Sequence, residues 1–482
     1  VKSLKALLSV SDKRGLDKLG HMLSNNGYDL YATSGTAKYL ASNGISVHPL
    51  EEITGFSELA EGRVKTLNEK IFEMVLSKKE GFDIVVVNLY PFKEAINKGI
   101  DAMVENFDIG GVALLRASAK NYDRVAVLSS PELYEWFYEN IPLNNEKRKF
   151  LAMKAMEVII KYDSMILHDL FNYHFSATID DLKPLKYGEN PHQHAWVGKL
   201  TGMPSLLDNV KLIKGELSYN NYLDLIVATQ IVSDCGEGTM AIIKHTNACG
   251  VAKFRNDSLS TFQRALDGDP QSAYGGILCI NDIVDGELAK VIKPHFFDLI
   301  IARKLLPEAI NMFKQKKANL IEFEEFKDAS MEWKISNGVV LVQEPDIGDA
   351  YEYMKVLTKR EPTDEEIEDA KFGLKVVRYI KSNAIVLVKD GTLIGMGSGQ
   401  PSRVDSASIA IEKSRKYGHS LEGSVMISDG FFPFADSIEM GIKNGIRCFV
   451  EPGGSKRDEE MIKLCDENDA VLIFTGKRLF KH

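Results

Sequence analysis

Ile243-Lys244-His245-Thr246-Asn247-Ala248-Cys249-Gly250 sets a lysine, a histidine, an asparagine and a cysteine within a few positions, directly after the apolar run Met240–Ile243. A strand that ends in Lys-His delivers a cation and a proton acceptor to one place. Imidazole is the side chain that titrates near neutrality, and a neighbouring ammonium can steady an oxyanion. That pair suits acyl or formyl transfer. An isolated Lys-His pair is equally at home on an ordinary exposed turn, so its meaning depends on the rest of the chain.

Further polar constellations surround predicted strands. Leu4–Val10, Tyr28–Ala32 and Asp83–Val87 read as short buried strands, each followed by a hydroxyl- or amide-bearing turn. The turns are Ser9-Val10-Ser11-Asp12-Lys13, Thr33-Ser34-Gly35-Thr36 and Asn88-Leu89-Tyr90-Pro91-Phe92. Helix capping explains any one of them, but together they outline a phosphate pocket beyond the carboxyl ends of parallel strands. Gly62-Arg63-Val64-Lys65-Thr66 supplies two cations, and Phe107-Asp108-Ile109-Gly110-Gly111 opens a helix that ends near Lys120. Asp108 could cap that helix, while the glycines would let a ligand approach its N-terminus.

The second half of the chain carries Lys186-Tyr187-Gly188, Ser382-Asn383-Ala384 and Gly397-Ser398-Gly399-Gln400-Pro401-Ser402-Arg403, the last two flanking a predicted hairpin. Ser428-Asp429-Gly430-Phe431-Phe432-Pro433-Phe434-Ala435-Asp436 could wall a flat heteroaromatic ligand or simply fill a hydrophobic corner. Gly476-Lys477-Arg478-Leu479-Phe480-Lys481-His482 is basic, and a segment in that position is expected to be disordered unless something ties it down.

The elements that must position these residues follow from length and pattern. A chain of 482 residues exceeds one ordinary core. Alternating strands and helices predict an α/β fold whose first part is a doubly wound parallel sheet. Residues 144–172 read as one helix, Asp180–Pro184 as a polar linker, and the boundary is set there, giving domains 1–180 and 185–482. Charged stretches near Lys314–Lys327 and Lys359–Asp369 interrupt the second part, and the latter divides it near 355–370. No repeat is visible. Net charge is −9 without a basic block, which argues against nucleic acid. No apolar run reaches spanning length and no leader pattern opens the sequence. Five scattered cysteines without Cys-x-x-Cys argue against a disulfide framework or structural zinc and for a reducing cytoplasm.

Taken in order, these motifs resemble the bifunctional purine-biosynthesis family that joins aminoimidazole carboxamide ribonucleotide (AICAR) formyltransferase to IMP cyclohydrolase. The resemblance spans essentially the whole chain. It implies an N-terminal methylglyoxal-synthase-like domain that closes the ring and a C-terminal pair of cytidine-deaminase-like subdomains that transfers the formyl group. It implies 10-formyltetrahydrofolate as co-substrate, AICAR and formyl-AICAR as ligands, no divalent metal, and a homodimer; some members use a monovalent cation. For formyl transfer it assigns Lys244, His245 and Asn383. Lys186, Tyr187, Arg478 and His482 would bind substrate, and Arg403, Phe431 and Asp436 folate. For ring closure it assigns Lys65, Tyr90, Asp108 and Lys120, with Ser9, Ser11, Lys13, Thr33, Thr36, Arg63, Thr66, Asn88 and Gly110 around the nucleotide. The family's Gly-Arg-Val-Lys-Thr-Leu-His-Pro ends here in Asn68-Glu69, and its arginine before Tyr-Gly is Lys186, which loses the bidentate fork. A second reading makes the N-terminal domain a nucleotide-sensing module beside a working formyltransferase.

Overall fold

The computed structural model describes residues 4–55, 66–173, 177–201, 203–325 and 331–482. The chain divides into two compact units, one of residues 1–180 with 200–202 and one of residues 181–199 with 203–482. Arg63 and Lys65 lie outside the described residues.

The first unit is a five-stranded parallel sheet of β1 (Leu4–Val10), β2 (Tyr28–Ala32), β3 (His48–Pro49), β4 (Ile84–Asn88) and β5 (Ala126–Leu128), ordered β3-β2-β1-β4-β5. Ile84-Val85-Val86-Val87 is buried on both faces, as a covered parallel strand requires. The chain winds from β1 outward to β3 and then crosses back to β4. The strand order therefore reverses between β1 and β4, where Ser9 pairs with Val87 and Val10 with Asn88. Open α/β sheets bind ligands at such a reversal. The predicted helix over 144–172 is Asn145–Met165 followed by a wider turn, Ile166–Leu170.

The second unit carries one twelve-stranded sheet. Its order runs Val210–Lys214, Asn319–Phe323, Leu299–Leu305, Ile277–Val284, Met240–Lys244, Asn247–Ala252, and then Thr392–Gly397, Ile385–Lys389, Val425–Ser428, Cys448–Glu451, Val471–Phe474, Lys355–Val356. The two sets of six are copies. From the junction outward each has an antiparallel hairpin, an antiparallel neighbour, two further parallel steps and an antiparallel edge. The helices before the two hairpins, Tyr219–Cys235 and Asp364–Val377, both start in capping boxes, Ser218 with Asn221 and Thr363 with Glu366. Both hairpins slip register at the same place, after Ala248 and after Leu393.

Two expectations fail here. Residues 179–185 form an exposed strand, not a linker, and Pro184 is tolerated because the strand lies outside the main sheet. The charged stretch around 314–327 contains the buried strand Asn319–Phe323, whose Glu322 is matched by Lys304 Nζ and the Leu305 amide, at 3.1 Å each.

Candidate active sites

A cavity of about 260 Å³ opens beyond the carboxyl ends of β1 and β4. Ser9, Ser11, Lys13, Thr33, Thr36, Thr66, Asn88, Tyr90, Asp108 and Gly110 all line it, joined by Val10, Gly35 and Gly111. Asn88 ties the first and third turns together: its Oδ1 accepts from the Ser11 amide (2.6 Å), Ser11 Oγ (2.8 Å) and the Asp12 amide (2.9 Å), and its Nδ2 donates to Asp12 O. Thr36 Oγ1 accepts from Val10 N at 3.1 Å and lies the same distance from Lys13 Nζ. Burial pushes the Lys13 ammonium below its ordinary pKa. Helices Ser34–Ser42 and Gly110–Lys120 both begin at the cavity wall, so two positive helix ends and a lysine face it. That is a setting for a phosphate.

Asp108 is 8% exposed. Its Oδ1 accepts from the Gly111 amide (2.7 Å) and its Oδ2 from the Tyr90 amide (3.1 Å), while its own amide donates to Tyr162 Oη (2.9 Å). Burial raises its pKa above the usual carboxylate range, and the two amides pull the other way. A Cβ on Gly111 would lie 2.7 Å from Asp108 Oδ2, so glycine there makes room for the carboxylate. Lys120 does not join this cavity. It sits exposed at the far end of its helix and lines a separate hollow with Arg116, Lys149, Met153 and Met156. Asn68, where the family pattern has histidine, caps helix Glu69–Leu76 by accepting from the Lys70 amide (3.0 Å).

In the second unit Lys244 closes its strand with Nζ on Tyr274 O at 2.6 Å. His245 and Thr246 form the two-residue loop to the next strand, with φ of 52° and 60°. Left-handed backbone costs about 1–2 kcal/mol for a residue other than glycine, and a β-branched threonine is an outlier there. Thr246 N donates to Asp224 Oδ1 (2.6 Å), and Asn247 Nδ2 to His245 O (2.9 Å).

Ser398 Oγ donates to Asn247 Oδ1 (2.7 Å), linking this loop to the turn that holds Asn383 and Arg403. Asn383 Nδ2 donates to Gln400 O (2.9 Å) and Pro401 O (3.0 Å), and its Oδ1 accepts from Arg403 Nη2 (2.8 Å). Arg403 is buried and also engages Ser428 Oγ and Asp429. Phe431 and Phe434 are exposed at that edge, whereas Phe432 is core. Asp436 opens the next helix, its Oδ1 accepting from the Ser437 amide (2.7 Å).

Main-chain bonds tie the basic tail down. Leu479 N donates to Asp429 O, and Ser382 N to Lys481 O, both at 2.9 Å. Arg478 and Arg403 stack on Phe480, 4.3 and 5.9 Å from its ring centre, and His482 meets the same ring edge-on. Lys186 sits 5.9 Å over the Tyr187 ring in a loop whose Glu189 carbonyl accepts from Asn220; no contact joins that pair to Lys244 or His245 among the described residues.

Sequence reasoning missed Asp224, Asp429 and Glu451. Asp429 stood in a quoted motif without a role. Glu451 is fully buried behind the phenylalanine loop, accepts from the Phe432 amide (2.5 Å), has no partner for Oε1 among the described residues, and is pushed by burial up to about 8. Asp224 and Glu451 look in sequence like ordinary surface acids.

Compared with known proteins, residues 118–413 match the family described as AICARFT/IMPCHase bienzyme, and residues 15–113 match the MGS-like domain. The chain is 42% identical over 509 residues to "Bifunctional purine biosynthesis protein PurH" of Aquifex aeolicus, covering 99% of this chain and 100% of that protein. It is 39% identical over 515 residues to the protein of that name in Persephonella marina and 37% over 519 in Caldicellulosiruptor bescii, with 99% of each chain covered.

Proposed function

The chain belongs to the AICARFT/IMPCHase bienzyme family, and on that premise we propose how its own residues divide the last two steps of IMP synthesis. The enzyme is an AICAR formyltransferase and IMP cyclohydrolase, with 10-formyltetrahydrofolate as co-substrate.

In formyl transfer the 5-amino nitrogen of AICAR attacks the formyl carbon. A new C–N bond forms and the bond from that carbon to the folate nitrogen breaks. His245 takes the amine proton, and Lys244 steadies the oxyanion or returns a proton to the departing nitrogen. Asn383, steered by Arg403, holds the amide or formyl oxygen. Phe431, Asp436 and Arg403 meet the folate, and Arg478, His482, Lys186 and Tyr187 the nucleotide.

In ring closure the carboxamide nitrogen attacks the formyl group just installed, and water leaves after proton transfers. Asp108 carries a proton, Tyr90 and Lys65 attend it, and the phosphate rests on Ser9, Ser11, Lys13, Thr33, Thr36, Arg63, Thr66, Asn88 and Gly110. The observation that carries this step is the buried Asp108 carboxylate on the wall of a cavity faced by two helix N-termini. Lys120 is assigned here by family resemblance and lines a different hollow from the cavity; the alternative reading makes this domain a nucleotide sensor. Formyl-AICAR given alone to the pure protein decides: IMP should form without folate, and its absence would leave the sensing module.

The working form is a homodimer in the cytoplasm. What supports a dimer is the hairpin of Glu332–Ser336 and Val339–Gln343, whose Ile335, Val339 and Leu341 are each more than half exposed. Activity per chain should fall on dilution below the dimer dissociation constant; a constant value down to the monomer would argue against shared sites.

A further inference from the structure

The loop that carries His245 exists twice in this chain. From Ser218 to Ala252 and from Thr363 to Gly397 the residues correspond one for one: Ser218 with Thr363, Asp224 with Asp369, Lys244 with Lys389, His245 with Asp390, Thr246 with Gly391. Both loops have two residues, and both pairs are left-handed, 52° and 60° in the first, 55° and 64° in the second. Hairpin loops of this type favour Asp-Gly, which is what the second copy has. The first copy has His-Thr, and the geometry disfavours its β-branched threonine.

In each copy a buried aspartate at the same place on the preceding helix accepts from the loop. Asp369 takes two amides, Asp390 N (2.8 Å) and Gly391 N (2.6 Å), and Asp224 takes Thr246 N (2.6 Å). Asp224 is 9% exposed, and Asn221, one turn earlier, is anchored to Asp298 Oδ2 at 2.7 Å. The aspartate thus belongs to the fold, and the copy with the unfavourable loop sequence is the one that presents His245.

We propose that Asp224 is a positioning residue for formyl transfer, its carboxylate holding the His245-Thr246 loop in a backbone form that this sequence would not keep alone. The proposal rests on the reading of His245 as the proton acceptor. Displacement of a reacting group by about 1 Å costs on the order of 10²-fold in rate. Asp224→Ala should therefore lower kcat for formyl transfer by roughly 10–10²-fold with the KM for AICAR within about twofold.

Asp224→Asn keeps an oxygen acceptor and should recover most of the loss. So should Thr246→Gly added to Asp224→Ala, because glycine adopts the loop geometry freely. Asp369→Ala, the same truncation in the copy without a histidine, should lower the unfolding temperature and leave kcat unchanged. Normal kcat in Asp224→Ala, a loss that Thr246→Gly does not relieve, or an equal loss in Asp369→Ala would overturn the proposal. His245→Ala separates the two claims. If it is impaired while Asp224→Ala is normal, the positioning role alone fails. If it is normal while Asp224→Ala is impaired, the reading of His245 fails and the positioning role with it.

Discussion

The cavity beyond β1 and β4 and the strand end that carries Lys244 put reactive groups in place by different means. In the cavity main-chain amides do the work: Gly111 N and Tyr90 N fix the Asp108 carboxylate, and two helix ends supply positive potential. Its central acid is buried, and burial raises its pKa. At the transfer site the amides are spent holding the loop itself, and His245 is left exposed. A buried acid can be tuned by the main chain around it. An exposed base depends on its substrates to exclude water. The contrast fits the two reactions: ring closure needs one small nucleotide, whereas formyl transfer must admit a nucleotide and a folate together.

The hardest test of that contrast exchanges damage between the sites. His245→Ala should lower formyl transfer by ~10²–10⁴-fold and leave cyclisation of supplied formyl-AICAR intact, whereas Asp108→Asn should do the reverse by a similar order. Separate assays with AICAR plus 10-formyltetrahydrofolate and with formyl-AICAR alone read the two effects. Loss of both activities in either folded variant would mean the sites are not independent.

Glycines give a sharper, smaller contrast. A Cβ at Gly111 would meet the Asp108 carboxylate and the Leu89 side chain, so Gly111→Ala should slow cyclisation about tenfold or more while the unfolding temperature changes little. A Cβ at Gly250 would lie 1.7 Å from Ala265 O, a main-chain atom that cannot swing aside. Gly250→Ala should cost about 1–3 kcal/mol of stability, read as a lower denaturation midpoint. Gly395, its counterpart, has 2.4 Å to Ala410 O and should cost less. The reverse order would show that the two hairpins do not share the tight approach.

The last test concerns Glu451. Its folded-state pKa of about 8 lies above the unfolded carboxylate value. The protonated group's contribution is therefore fully present below about pH 4 and is lost as pH rises through about 8. Glu451→Gln removes that loss, so its unfolding temperature relative to the parent should climb between pH 5 and 8 and then level off. A flat difference across that range would mean Glu451 is already ionised at pH 5.

What could be read from sequence follows from how each feature is encoded. Strands β1 and β4 announced themselves as short aliphatic runs and β2 as an apolar alternation, and the polar turns after them marked the cavity because side-chain hydroxyls and amides build it. The duplication stayed hidden. Between Ser218–Ala252 and Thr363–Gly397, residue type is kept at Asp224, Val232, Lys244 and Gly250, too few positions to notice. What the copies share is backbone: a register slip, a two-residue loop and a capping box made once from Ser-Asn and once from Thr-Glu. What ties the tail down is hidden for a related reason, since Leu479 N to Asp429 O and Ser382 N to Lys481 O are main-chain bonds that carry no side-chain signature. Lys120, named by motif, lines a hollow other than this cavity, a placement its position in the sequence does not reveal.

All five cysteines lie in the second unit as buried free thiols, Cys235, Cys249 and Cys279 in one copy and Cys448 and Cys465 in the other, and burial raises the pKa of each. A thiol held protonated and out of solvent does not react with an alkylating reagent until its surroundings come apart. The molecule therefore carries its own clock for local opening. Pulse alkylation followed by peptide mass mapping would time the two halves of the large sheet separately, with no residue substituted.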